Sequence, residues 1–180
     1  ATYRARVKFA MSGTTDSGMN FGASFRAHEA AGANAGTNGT AWISGSWGKL
    51  TIGAVGAGSD SVGLGIADLG AFGIGVDNLA EGLYANSTNN IAYTNSFGAF
   101  SIGLSTEVAT AGGTSTSGDW SVGVGYAGNG FNAALGFDSA AGVDTVTLGG
   151  GVSMDAISAN VIYSMPSAGN DAWGIDFGYA

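Results

Sequence analysis

The run Trp120-Ser-Val-Gly-Val-Gly-Tyr126 places Trp120, Val122, Val124 and Tyr126 on one side of an extended chain and Ser121, Gly123 and Gly125 on the other. Strict alternation has the period of a β-strand, whose successive side chains point to opposite faces. The neighbouring stretches repeat it. Phe131, Ala133, Leu135 and Phe137 alternate with Asn132, Ala134, Gly136 and Asp138, and Phe100, Ile102 and Leu104 alternate with Ser101, Gly103 and Ser105. Ile157, Ala159, Val161 and Tyr163 continue the apolar series, as do Trp173, Ile175, Phe177 and Tyr179 opposite Gly174, Asp176 and Gly178. Aromatics stand at the ends of the apolar side and aliphatics in its middle, as in barrels girdled by aromatics at two membrane interfaces. The other side is Gly, Ser, Asn and Asp, too small and polar for a dry core. A soluble sandwich would turn its apolar face inward and cover the outer one with long charged residues, which are scarce here. The alternation predicts an all-β, transmembrane antiparallel β-barrel with its apolar face toward lipid.

Composition points the same way. Glycine supplies 34 of the 180 residues and charged residues only 10%, against roughly 7% and 25% in ordinary proteins, while hydrophobic residues stay at 45%. The absence of cysteine excludes a disulfide framework and thiolate metal sites. One proline and no triplet glycine period exclude collagen. Five Lys and Arg against 13 Asp and Glu, a net charge of −8, argue against a nucleic-acid partner. The most apolar stretch, Val62 to Tyr84, is interrupted by Asp68, Asp77 and Glu81. A carboxylate at a helix centre costs about 3 kcal/mol on insertion scales, so no spanning helix is expected.

Eleven strands are expected, near 2–12, 19–28, 40–47, 50–56, 89–95, 99–108, 119–127, 131–138, 143–152, 156–164 and 172–180, in a single barrel domain over 1–180. Short connections (13–18, 48–49, 96–98, 128–130, 153–155) alternate with longer ones (29–39, 57–88, 109–118, 139–142, 165–171), the wiring of outer-membrane barrels. The first strand ends in a short turn and an odd number cannot close antiparallel. Parity therefore predicts a strand ahead of Ala1, the 180 residues being part of a larger barrel.

Four of the five cations fall on the first two strands. Arg4, Arg6 and Lys8 are spaced by two and share a face, about 6.7 Å apart. Arg26 shares its face with Asn20, Gly22, Ser24 and His28. On a lipid-facing wall each would cost about 2–4 kcal/mol near the midplane, so they are expected to line a wet interior. The long connection 57–88 carries Asp60, Asp68, Asp77 and Glu81 among Leu64, Ile66, Leu69, Phe72, Ile74 and Leu79. Connections of this length are usually functional. Folded inward, its apolar residues would pack on the wall while its carboxylates oppose the cations. Trp42 shares the polar side with Ser44 and Ser46, unusual for a wet interior. His28 has no nucleophile and orienting partner set around it in the sequence, so no enzyme is expected.

The run from Arg4-Ala-Arg-Val-Lys-Phe through Gly13-Thr-Thr-Asp-Ser-Gly18 to Phe25-Arg-Ala-His28-Glu29 resembles the second and third strands of purple-bacterial (Rhodobacter-type) general porins. Gly39-Thr-Ala-Trp-Ile-Ser-Gly-Ser-Trp-Gly-Lys-Leu-Thr-Ile-Gly53 resembles the next hairpin of that family. The resemblance implies a homotrimeric, sixteen-stranded barrel of the bacterial outer membrane, embedded in lipid and lipopolysaccharide, whose third outer loop folds inward as the pore constriction. It maps the family's basic wall onto Arg4, Arg6, Lys8 and Arg26. Two departures stand out: Ala54-Val55 follow Gly53 where the family usually has an acidic residue, and 57–88 is less acidic than the family's loop. Calcium in that loop is the one cofactor the resemblance raises. The expected function is a channel passing small hydrophilic solutes and ions, with weak cation preference from the net charge. The alternatives are a glycine-rich β-solenoid adhesin, which would show a fixed repeat period, and a barrel-embedded hydrolase around His28.

Overall fold

The computed structural model describes residues 6–28, 39–64, 89–108 and 118–179. These form eleven strands: β1 (Arg6–Thr14), β2 (Asn20–His28), β3 (Thr40–Gly45), β4 (Gly48–Val55), β5 (Asn89–Phe97), β6 (Phe100–Thr106), β7 (Trp120–Gly128), β8 (Phe131–Ala140), β9 (Val143–Met154), β10 (Ile157–Pro166) and β11 (Ala172–Tyr179). They make one sheet in sequential order, every neighbouring pair antiparallel. This meander is the up-and-down barrel arrangement, not the coil of a solenoid. No helix of the described residues is long and apolar enough to cross a membrane, which does not bear on crossing by strands.

Two connections differ from the sequence expectation. Residues 139–142, expected to be a longer loop, close as a two-residue turn at Ala141 and Gly142, with φ of 51° and 81°. Positive φ at both centres matches the right-handed twist of a hairpin. The β3–β4 turn is Ser46-Trp47 rather than 48–49, which places Lys49 inside β4.

Alternation along the strands sorts the faces as expected. Val124, Leu135 and Ile175 are 45%, 51% and 52% exposed, so they form no dry centre. Two aromatic rows bound this apolar face. Toward the β5–β6 and β7–β8 turns, Tyr126 packs on Phe100 and Phe131 at 5.0 and 5.2 Å between ring centroids. At the other end of β7, Trp120 stacks on Phe137 at 5.0 Å. Such pairs contribute about 0.5–1.5 kcal/mol beyond their buried area.

Replacing Leu135 with Arg should weaken folding into phospholipid vesicles by about 2–4 kcal/mol, whereas Arg at Ser12 on the polar face should cost far less. The shift in urea midpoint measures both, and equal losses would contradict the assigned faces.

Candidate functional site

The polar face is organised in rows that run across the strands. Register aligns Ser105, Ser121, Asp138 and Thr145 from β6 to β9. The adjacent row reads Gly103, Gly123, Gly136, Thr147 and Ser164, and the next reads Ser101, Gly125, Ala134, Gly149 and Ile162. One row thus offers hydroxyls and a carboxylate; the two beside it are largely bare backbone.

The chain after β4 lies on these rows. The β4–β5 register shifts between Ile52 and Val55, and Gly53 has φ of 109°. A side chain there would run into the Gly39 carbonyl, which instead accepts a hydrogen bond from the Ala54 N–H at 3.0 Å. Bulges of this kind bend a strand and redirect the chain beyond them. Residues 56–64 then cross the polar face of β6 to β10. The Gly58 N–H donates to Ser105 Oγ at 2.8 Å, and the Ser59 N–H donates to Ser121 Oγ at 2.9 Å. Consecutive Cα atoms lie about 3.8 Å apart and strands about 4.8 Å, so successive amides can reach successive strands. The Ser59 hydroxyl donates to both Asp138 oxygens, at 2.8 and 3.0 Å, and Ser59 is 3% exposed. The Asp138 carboxylate is thereby buried with hydrogen-bond donors, without which burial of a charge is costly.

Glycine makes this contact geometrically feasible. A Cβ at Gly123 would stand 2.6 Å from Val62 Cγ2, and one at Gly136 would stand 2.7 Å from both Ser59 Cβ and Leu64 Cδ1. A Cβ at Gly149 would meet Leu64 Cδ2 at 2.6 Å and Ile162 Cγ1 at 3.8 Å. Leu64, 1% exposed, therefore fills a socket over two glycines beside Ile162, a buried apolar residue on the otherwise polar face. Between the anchor and the socket, Asp60–Val62 make a single 3₁₀ turn closed by the Ser61 hydroxyl, which donates to the Gly58 carbonyl at 2.6 Å.

The cations stand on the same face. Lys8 and Arg26 are direct partners across β1 and β2, and Arg6 and His28 occupy the next paired positions. Lys8 is six positions from the Thr14 end of β1 and Arg26 six from the Asn20 end of β2. Ser105 is five positions from the Phe100 end of β6, and Asp138 seven from the Phe131 end of β8. Counted from the short-turn rim, cations and anchor share a level about 20 Å along the strands. Asp60 is exposed on the 3₁₀ turn. Arg4, Asp68, Asp77, Glu81 and the remainder of 57–88 lie outside the described residues, as do the side chains of Arg6 and His28. Among the described residues no group of three or more His, Asp or Glu is placed to hold a metal ion.

Three features escaped the sequence reading. Asp138 reads there as an ordinary polar-face acid, yet it anchors the crossing segment. Ile162 breaks the alternation on its strand, a signal that marks the socket. Lys49, the fifth cation, stands on the polar face with its Nζ 4.8 Å from the Trp42 ring centroid. Trp42 itself lies over the bare backbone of Gly22, where a Cβ would come within 2.7 Å of the ring. The unusual tryptophan is thus a platform for a lysine, an arrangement worth about 0.5–1 kcal/mol at exposed sites.

A membrane sheet whose connecting segment folds back onto its polar face defines a class, and comparison with known proteins supplies the family. The model of the Gram-negative porin family matches residues 1–180, and the chain belongs to that family. It is 41% identical over 144 residues to the porin of Rhodobacter capsulatus, an alignment covering 68% of this chain and 48% of that protein. The chain thus spans about half the length of the curated relative it matches. A porin structure refined at 1.8 Å resolution superposes with a TM-score of 0.67 at 26% identity, covering 97% of this chain and 71% of that one. A double-tryptophan variant of Rh. blastica porin shares the fold with a TM-score of 0.61 at 19% identity, covering 98% of this chain and 80% of that one. Family membership places the protein in the bacterial outer membrane.

Asp138→Ala should release the crossing segment by leaving the buried Ser59 hydroxyl without its acceptor, a loss of about 1–3 kcal/mol. Hydrogen exchange at the Gly58 and Ser59 amides in detergent micelles should accelerate at least fivefold. Unchanged exchange would assign the anchoring to Leu64 alone.

Proposed function

We propose that the chain forms part of a water-filled channel for passive diffusion of small hydrophilic solutes and ions, with the segment beginning at residue 57 as its constriction. One observation carries the reading: residues 58–64 are pinned across the polar face at the level of Lys8 and Arg26. A segment on one wall and cations on another narrow the lumen and set a transverse field across it, so that size and charge sort what passes. In this proposal Arg4, Arg6, Lys8 and Arg26 form the positive wall and Asp60, Asp68, Asp77 and Glu81 the opposing side. Net charge of −8 favours cations weakly by raising their concentration near the lumen. The assembly is read as a homotrimer in lipid and lipopolysaccharide, following its relatives. The apolar outer face and its aromatic rows support the lipid contact.

Charge-neutralising replacement of Arg6, Lys8 and Arg26 by Gln should raise cation over anion permeability by roughly two- to fivefold. That corresponds to removing about 0.5–1 kcal/mol of repulsion in a water-filled lumen. The reversal potential of the bilayer-reconstituted protein in a salt gradient reads the change. An unshifted potential would place the cluster away from the constriction.

A further inference from the structure

One further row lies on the polar face between the crossing segment and the short turns. Register aligns Asn132 of β8, Gly151 of β9, Asn160 of β10 and Asp176 of β11. The Asn160 Nδ2 donates to Asp176 Oδ1 at 2.8 Å. A carboxylate only accepts, so this bond turns the amide of Asn160 one way and commits its Oδ1 toward Gly151. A Cβ at Gly151 would overlap that oxygen and would stand 2.9 Å from Asn132 Nδ2. Over the bare glycine, therefore, an acceptor from one side and a donor from the other lie side by side in the space a Cβ would take. Asn132 is exposed and Asn160 half-buried, so water and solute reach both.

The two amides also line a cavity of about 370 Å³, together with Ser61, Ser101, Val62 and Ile162, among others. Its volume falls in the range of about 300–1,000 Å³ usual for small-molecule sites. The chemistry of its walls selects a ligand class. A hydroxyl both donates and accepts, so it can answer Asn160 Oδ1 and Asn132 Nδ2 together. Val62 and Ile162 offer an apolar surface to C–H groups, and the Ser61 and Ser101 hydroxyls provide further partners. Among the described residues neither Lys nor Arg lines the cavity, which disfavours an anion. From Asn132 to Asp176 the row spans three strand spacings, about 14 Å, enough for two sugar rings.

We propose that this row and the cavity above it form a solute-binding station for neutral, hydroxyl-rich molecules of one or two sugar rings, on the short-turn side of the constriction. The station rests on the channel reading, since solute reaches it through the lumen. Gly151 lets the two amides approach the wall, and the Asn160–Asp176 bond sets the polarity of the donor–acceptor pair.

The test is conductance of the purified full-length porin in planar bilayers with sucrose added, against a polyethylene glycol of matched hydrodynamic size. Sucrose should reduce the ion current saturably and beyond the polymer's effect. Asn132→Leu, which removes the donor at an exposed site, should raise the half-blocking concentration about tenfold, the loss expected for one well-placed hydrogen bond. Gly151→Ala, which displaces the Asn160 amide from the wall, should do the same by a different route. Heat-sensitive gel mobility establishes that each variant is folded, and Asn132→Leu carries the test if Gly151→Ala does not fold. A sucrose effect equal to the polymer's, or one that survives in every folded variant, overturns the station while leaving the channel intact. A wild-type protein that carries no ion current removes the channel reading and the station with it.

Discussion

A strand that crosses hydrocarbon has no water to satisfy its amide groups, so each must be paired with a neighbouring strand. Every other feature stems from that requirement. Strands β2 to β10 meet it by antiparallel pairing on both sides, and pairing forces side chains to alternate between two environments. Aliphatics bounded by aromatic rows face lipid, and Gly, Ser, Asn and Asp face the interior. The sheet is held by its backbone ladder, and the residues on its inner face are left available to hold something else.

What they hold is a piece of the chain itself. Ser105, Ser121 and Asp138 form a row of hydrogen-bonding groups across three strands, and Gly58 and Ser59 dock on it. Beside it Gly103, Gly123, Gly136 and Gly149 leave room for Ser61, Val62 and Leu64 to approach the wall. Glycine weakens a strand in isolation, and here that cost is offset by close approach of a second layer. The abundance of glycine thus has a local purpose along the docking path.

Electrostatics adds an asymmetry. Lys8 and Arg26 pair across neighbouring strands and Lys49 rests on Trp42, so cations gather on β1, β2 and β4. The segment is anchored on β6 to β8 with Leu64 reaching toward β9 and β10, and Asp138 is occupied by Ser59. Charge and bulk therefore occupy different parts of the inner surface. In the proposed channel, a solute passing between them would meet a charged wall on one side and, past the segment, a row of two amides and the Asp176 carboxylate on the other.

Most of the architecture is legible in the residues alone. Alternation in 120–126, 131–138 and 172–180 identifies the strands and their lipid side, because period two is a local property of each stretch. The cation ladder is legible for the same reason. The two-residue turn at Ala141-Gly142 is less so, since Ser139 and Asp144 look like loop residues until the pairing is known. The anchor is not legible at all. Asp138, Ser121 and Ser105 are far apart in sequence and become one row only through register across three strands, a property of pairing and not of any single strand. The same holds for Asn132, Gly151, Asn160 and Asp176, and for the socket that Gly136, Gly149 and Ile162 make for Leu64. Which face meets lipid and which meets water can be read from the order of residues, because that choice is made one position at a time. What the wet face grips emerges only when the strands are paired, because gripping depends on distances between strands that no single strand encodes.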